Sequence, residues 1–328
     1  MKKIRVLVIS VLTLVFLLAG CSAGDKNPES QSGADTSEKT GLKIVCTIFP
    51  QYDWVKNILG EKADDALLTL LLDSGTDLHS YQATAEDFVK LSGCDLFIYV
   101  GGASDMKWVP DALKTAGDIN ALNLMDALGD SAKIEEEVAG MQEEEEEEEE
   151  EYDEHIWLSL KNASALCSVI CDKLCEIDPE NAAIYKANSE KYRNELSAMD
   201  AEFDKAVKSA SFNTLLFGDR FPFRYLCDDY NLTPYAAFSG CSAETEASFE
   251  TVARLAKTMD ELGLPAVCVT ESADQSIAKT IIENTVNKNQ RIVVFDSLQS
   301  VTKQVLEEGK TYLGAMESNL NALKDALN

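Results

Sequence analysis

Apolar positions along this chain come in short, β-branched runs separated by stretches of helical period. Lys43–Phe49 is one such run, closed by Pro50, and its length predicts a buried strand. Gln51–Leu59 has helical spacing and stops at Gly60. Ala66–Leu72 is apolar again, Thr84–Leu91 predicts a helix with Thr84 as N-cap, and Asp95–Val100 predicts a strand ended by Gly101-Gly102. Trp108–Ala116 and Ala121–Leu128 are short helix or strand pieces. Asn162–Ile177 is amphipathic, and from Pro179 to Ala210 a charged run carries Leu196, Met199, Phe203 and Val207 at helical spacing. Such a helix would be about 45 Å long. The second half repeats the alternation: strands at Thr214–Phe217, Ala266–Thr270 and Arg291–Phe295, helices at Arg224–Tyr230, Ser248–Leu262, Ser276–Asn287 and Thr311–Leu327. Alternating strand and helix predicts an α/β protein of two doubly wound lobes joined by one long helix, an architecture suited to binding in the cleft between lobes. The expected bounds are 43–178 for the first lobe, 179–210 for the linking helix and 211–328 for the second lobe.

Composition adds a compartment. Lys2, Lys3 and Arg5 precede an apolar run, Val6–Leu18, that is short for a bilayer span, so residues 1–20 read as a signal peptide. The run ends in Leu18-Ala-Gly-Cys21, which resembles the lipobox of bacterial lipoproteins. That resemblance implies a lipid on Cys21 and a protein anchored on the extracellular face of the cell membrane. Residues 21–42 hold little to bury and predict a flexible tether. The net charge of −28 is concentrated: residues 135–154 contain fourteen acids and no Lys or Arg. Nine consecutive glutamates in that loop repel one another and bury nothing. They either attract metal ions weakly or act as a solvated spacer. No basic face is evident, which excludes nucleic acid as a partner. Cys46, Cys94 and Cys268 sit inside apolar runs, and Cys167, Cys171 and Cys175 share a helical face, so they read as small core residues. Cys227 with Cys241 is the one disulfide pairing left open.

The chain has only two histidines, in Gly75-Thr-Asp-Leu-His79-Ser-Tyr and Tyr152-Asp-Glu-His155-Ile-Trp157-Leu. Both are flanked by turn formers and acids at the edge of an apolar run. Imidazole is the commonest side-chain ligand for late first-row metals, so the pair is a candidate metal site if the fold brings it together. The body from Leu42 onward has no HExxH and no G-x-S-x-G, which argues against a secreted metallohydrolase.

From Lys43 onward the chain resembles the substrate-binding lipoproteins of ABC importers for zinc and manganese. Gly75-Thr-Asp-Leu-His79-Ser-Tyr-Gln with Cys94-Asp-Leu-Phe-Ile-Tyr-Val-Gly-Gly is similar to the family's first ligand motif and the strand after it. Glu154-His155-Ile-Trp157-Leu-Ser-Leu-Lys-Asn-Ala163 is similar to its second, and Val294-Phe-Asp296-Ser-Leu to the segment of a late aspartate ligand. A charged low-complexity loop before the second histidine is also a family trait. The resemblance implies a monomeric, non-enzymatic receptor that captures Zn2+ and passes it to a membrane permease and its ATPase. Mn2+ is the alternative cargo, and an adhesin-type lipoprotein with structural metal is a more distant reading. It implies ligands at His79, His155 and Asp296. The third ligand slot falls on Arg220, a permanent cation, so the neighbouring Asp219 is the expected ligand, with Glu271 as substitute should Asp219 pair with Arg220. Leu78 and Glu154 also stand where the family usually has proline. Two imidazoles and two carboxylates would neutralise a dication and form a closed, four-coordinate cage.

Overall fold

The computed structural model describes residues 41–135, 138–142, 152–242 and 246–328. The expected signal peptide, Cys21, most of the tether and the run of nine glutamates lie outside the described residues. Within them the chain forms two four-stranded, all-parallel sheets. The first contains β1 (Lys43–Cys46), β2 (Leu67–Leu70), β3 (Leu96–Tyr99) and β4 (Asn120–Asn123), in the order β2-β1-β3-β4. The second contains β5 (Thr214–Phe221), β6 (Thr233–Ser239), β7 (Ala266–Thr270) and β8 (Arg291–Phe295), in the order β6-β5-β7-β8. Each sheet therefore has the same topology, and loops at the carboxyl ends of its strands are the natural place for ligand groups.

Helices form where the apolar period is helical and a cap is available. Thr84 does cap a helix, Ala85–Ser92, and makes a reciprocal capping box with Asp87. Ser159 caps Leu160–Ile177, whose inner face buries Leu166, Cys167, Ile170, Cys171 and Leu174. The linking helix, Ala182–Ser209, has 28 residues, about 42 Å at 1.5 Å per residue. It packs against Leu160–Ile177, Phe49–Leu59 and Tyr312–Ala326, and so touches elements of both lobes. One continuous apolar cluster follows it, from Ile44 and Phe97 through Trp54, Tyr312 and Leu196 to Phe217 and Phe295. A smaller cluster around Leu216, Phe238, Leu255 and Val267 fills the outer side of the second lobe.

β6 is an element that the residue pattern hides, because Pro234 lies inside it. Proline is tolerated in sheets chiefly on edge strands, and β6 is an edge. Its free side is partly covered by the chain at 138–142, through Ala236 N–H to the Ala139 carbonyl and Gln142 N–H to the Ala237 carbonyl. All the described cysteines are free, Cys227 and Cys241 included. Burial pushes the Cys94 thiol up to about 11 and those of Cys46, Cys167 and Cys268 higher still, so they are inert packing groups.

Candidate metal centre

His79 follows β2 in a short 3-10 turn, Leu78–Ser80, capped by Asp77, whose carboxylate accepts the His79 backbone N–H at 2.9 Å. His155 precedes a second 3-10 turn, Ile156–Leu158, and is fully buried. That turn is clamped from the other lobe: the Trp157 indole donates to the Ser297 carbonyl at 2.9 Å, and the Tyr312 hydroxyl donates to the Trp157 carbonyl at 2.6 Å.

These two loops bring the imidazoles together. The Nε2 atoms of His79 and His155 are 3.1 Å apart. Two nitrogens bound to one tetrahedral zinc at the usual 2.0–2.1 Å would be about 3.3 Å apart, so the pair is already near a shared-metal spacing. The opposite ring nitrogens are engaged. His79 Nδ1 lies 3.0 Å from both Glu154 Oε1 and the Ser104 hydroxyl. His155 Nδ1 lies 2.9 Å from Asp153 Oδ1. A carboxylate on Nδ1 fixes the tautomer with Nδ1 as donor and leaves the Nε2 lone pair for a metal. Burial opposes charge on His155, but the Asp153 charge and hydrogen bond, with Glu154 and Glu135, win and hold its pKa above the ordinary histidine value. Burial likewise opposes the Glu154 carboxylate. The hydrogen bond and charge of His79, the Ser104 hydroxyl and His155 outweigh it, keeping Glu154 below the usual carboxylate range.

Glycines make this packing possible. A Cβ on Gly102 would come within 2.4 Å of the Glu154 Cβ, and one on Gly240 within 2.9 Å of the His155 ring. The second contact brings the turn after β6 against the histidine pair. Cys241 lies there, and its Sγ joins the two imidazoles in a group whose ligand atoms are all within 4.8 Å of one another. The Glu135 carboxylate accepts the Gly240 and Cys241 amides at 3.0 and 3.4 Å and pins this turn.

The expected carboxylates are occupied elsewhere. Asp219 accepts from both the Thr270 amide, at 3.0 Å, and the Thr270 hydroxyl. Asp296 pairs with Lys310 and caps Leu298 N–H at 2.9 Å. Glu271 holds the Ser297 amide and hydroxyl at 2.7 and 2.9 Å. Among the described residues, none of the three joins the histidine pair in the group that includes Cys241. The pairing register of β5 shifts between Phe217 and Arg220, so strand alternation does not carry through Asp219. Arg220 thereby reaches the first histidine loop, where its guanidinium pairs with Asp77 at 3.0 Å. Burial alone would raise the Asp77 pKa, but His79 and Arg220 together bring it below the usual range. Arg220→Gln should free Asp77, whose Oδ1 is 3.9 Å from His79 Nε2. The bared charge should tighten zinc binding up to about tenfold, about 1.4 kcal/mol, in a competition titration; unchanged affinity would show that the site does not feel Asp77.

Comparison with known proteins fits this geometry. A family model described as ZnuA, the periplasmic component A of a zinc-uptake complex, matches residues 44–326. The zinc-binding lipoprotein AdcA of Streptococcus pneumoniae is 31% identical over 327 residues, covering 99% of this chain and 61% of that protein. This chain thus spans 61% of that relative's length. The high-affinity zinc uptake system protein ZnuA of Bacillus subtilis is 29% identical over 321 residues, 95% of this chain and 97% of that one. The crystal structure of the Zn(II)-bound ZnuA-like domain of Streptococcus pneumoniae AdcA superposes with a TM-score of 0.68 at 27% identity, over 87% of this chain and 98% of that domain.

Proposed function

This chain belongs to the ZnuA family of zinc-uptake components, and we propose that it is the extracytoplasmic receptor that captures zinc for an ABC importer. The observation that carries this reading is the histidine pair, with Nε2 atoms 3.1 Å apart and both Nδ1 atoms beside carboxylates. Such an arrangement binds a borderline-soft dication through neutral imidazoles and loses proton competition only when the rings charge. Its partners are the permease and ATPase of the importer. A signal peptide over 1–20, a lipid on Cys21 and a tether over 21–42 would hold the receptor at the outer face of the membrane. It binds its cargo and transforms nothing.

Metal content of the protein purified without chelator tests the reading. Stoichiometric zinc that resists excess manganese is expected. Stoichiometric manganese would move the protein to manganese uptake, and the absence of any bound metal after zinc loading would overturn the proposal.

A further inference from the structure

We infer that Cys241 supplies the third protein ligand, so that the cargo is held by two imidazoles and a thiolate. The inference rests on the receptor reading above and deepens it by naming the chemistry that selects the metal. Three observations converge on it. The Cys241 sulfur and the two histidines form a three-membered group with ligand atoms within 4.8 Å. In a tetrahedral site, a zinc-bound sulfur at about 2.3 Å and nitrogen at 2.0–2.1 Å stand about 3.6 Å apart, so only a small inward shift is needed.

The second observation is the turn itself. Gly240 carries no side chain where a Cβ would strike both the His155 ring and the Phe221 carbonyl at 2.9 Å, which allows the next residue to come up against the imidazoles. Glu135 fixes the backbone of that turn from the first lobe. Cys241 therefore sits on the second lobe and the histidines on the first, and a metal bound to all three spans the cleft.

The third observation is the fate of the alternatives. Asp219, Asp296 and Glu271 are all satisfied by partners outside the pair, and Arg220 brings a cation that coordinates nothing. The Cys241 sulfur lies 4.0 Å from Glu154 Oε1, a weak contact that a metal can replace. Because burial and the charges of Glu135, Glu154 and Asp153 push its thiol pKa up, the metal itself has to displace the proton. On binding, the Sγ–H bond is exchanged for an Sγ–metal bond and the proton leaves to bulk water. The fourth position of a tetrahedral ion is left to solvent. A thiolate favours zinc, and other thiophilic ions such as cadmium, and disfavours manganese, which prefers oxygen.

Cobalt(II), a spectroscopic stand-in for zinc, gives the test with the purified full chain. A thiolate-to-cobalt charge-transfer band should appear on stoichiometric addition, vanish in Cys241→Ser, persist in Cys175→Ser, and be displaced by zinc. Zinc affinity in Cys241→Ser should drop by more than the ~10–100-fold that follows loss of an outer-shell partner. Cys241→Asp should recover binding with manganese gaining on zinc. Cobalt that binds through His79 with ligand-field bands but no charge-transfer band would overturn the thiolate and leave the receptor reading standing. Failure of the parent protein to bind either zinc or cobalt would overturn both.

Discussion

His79→Ala should remove tight zinc binding while the protein stays folded, and His155→Ala should do the same with a measurable loss of stability. The difference follows from surroundings. His79 is partly exposed, and Ser104 and Glu154 can keep each other when its ring is gone. His155 is fully buried, and its ring is one of the partners of the Asp153 carboxylate, itself 2% exposed. Removing the ring costs about 1–3 kcal/mol of unmet hydrogen bonding, tempered because Asp153 still accepts the His155 amide at 2.8 Å. For metal, either change leaves one imidazole, and the affinity loss should exceed the ~10–100-fold of an outer-shell deletion. Calorimetric titration reads the binding. Melting with and without zinc separates it from folding, since a ligand that binds only the native state raises its melting temperature. Retention of tight zinc by either variant would sink the assignment of the pair.

The second large effect is expected at Asp105→Asn, as a pH-dependent gain in stability. Asp105 is fully buried beneath the first histidine loop, with one oxygen accepting the Val100 and Gly101 amides at 2.7 and 3.0 Å and the other, Oδ1, without a partner. Burial pushes its pKa up to about 7; the neighbouring Glu154 charge adds to this and the two amides oppose it. The hydroxyls of Tyr81 and Tyr99 also feel its charge. An unfolded aspartate titrates near 3.9. Between about pH 4 and pH 7 the unfolded chain has therefore lost a proton that the native state keeps, and stability falls as pH rises. Three pKa units at 1.36 kcal/mol each set a ceiling on the order of 4 kcal/mol. Asparagine keeps the accepting oxygen and stays neutral at every pH. Denaturant unfolding should show parent and variant equal near pH 4 and the variant more stable at pH 8. Equal differences at both pH values would refute the buried, protonated state.

Much of this fold is legible along the chain. β7 and β8 are short β-branched runs between turn formers, and their bounds are those the pattern predicts. The linking helix announces itself by its length and its apolar period. β6 is not legible, because Pro234 argues against a strand unless its edge position is known. The histidine pair is legible as two motifs, although nothing local says that residues 76 apart will meet. Asp219 and Asp296 pair with Thr270 and Lys310, contacts set by tertiary packing that no local pattern announces. The register shift in β5 is what brings Arg220 to Asp77, and no residue type there signals it. Cys241 carried a weak sign: most of the other described cysteines lie in apolar runs or on the apolar face of a helix, whereas it lies in a Gly-Cys-Ser turn after a strand.

The acidic loop enters and leaves through a clasped neck. Ile134 bridges to Tyr152, the Asp153 amide donates to the Lys133 carbonyl at 2.8 Å, and Lys133 N–H in turn donates to the Tyr225 hydroxyl at 2.9 Å. His155 is positioned by that neck, and Glu135 and residues 138–142 are tied to the second lobe, so only the chain between 143 and 151 can be extended or replaced without moving a ligand. Doubling the length of a flexible loop costs only about 0.6 kcal/mol. The stretch beyond the neck is thus the place where a fluorescent reporter could be spliced in.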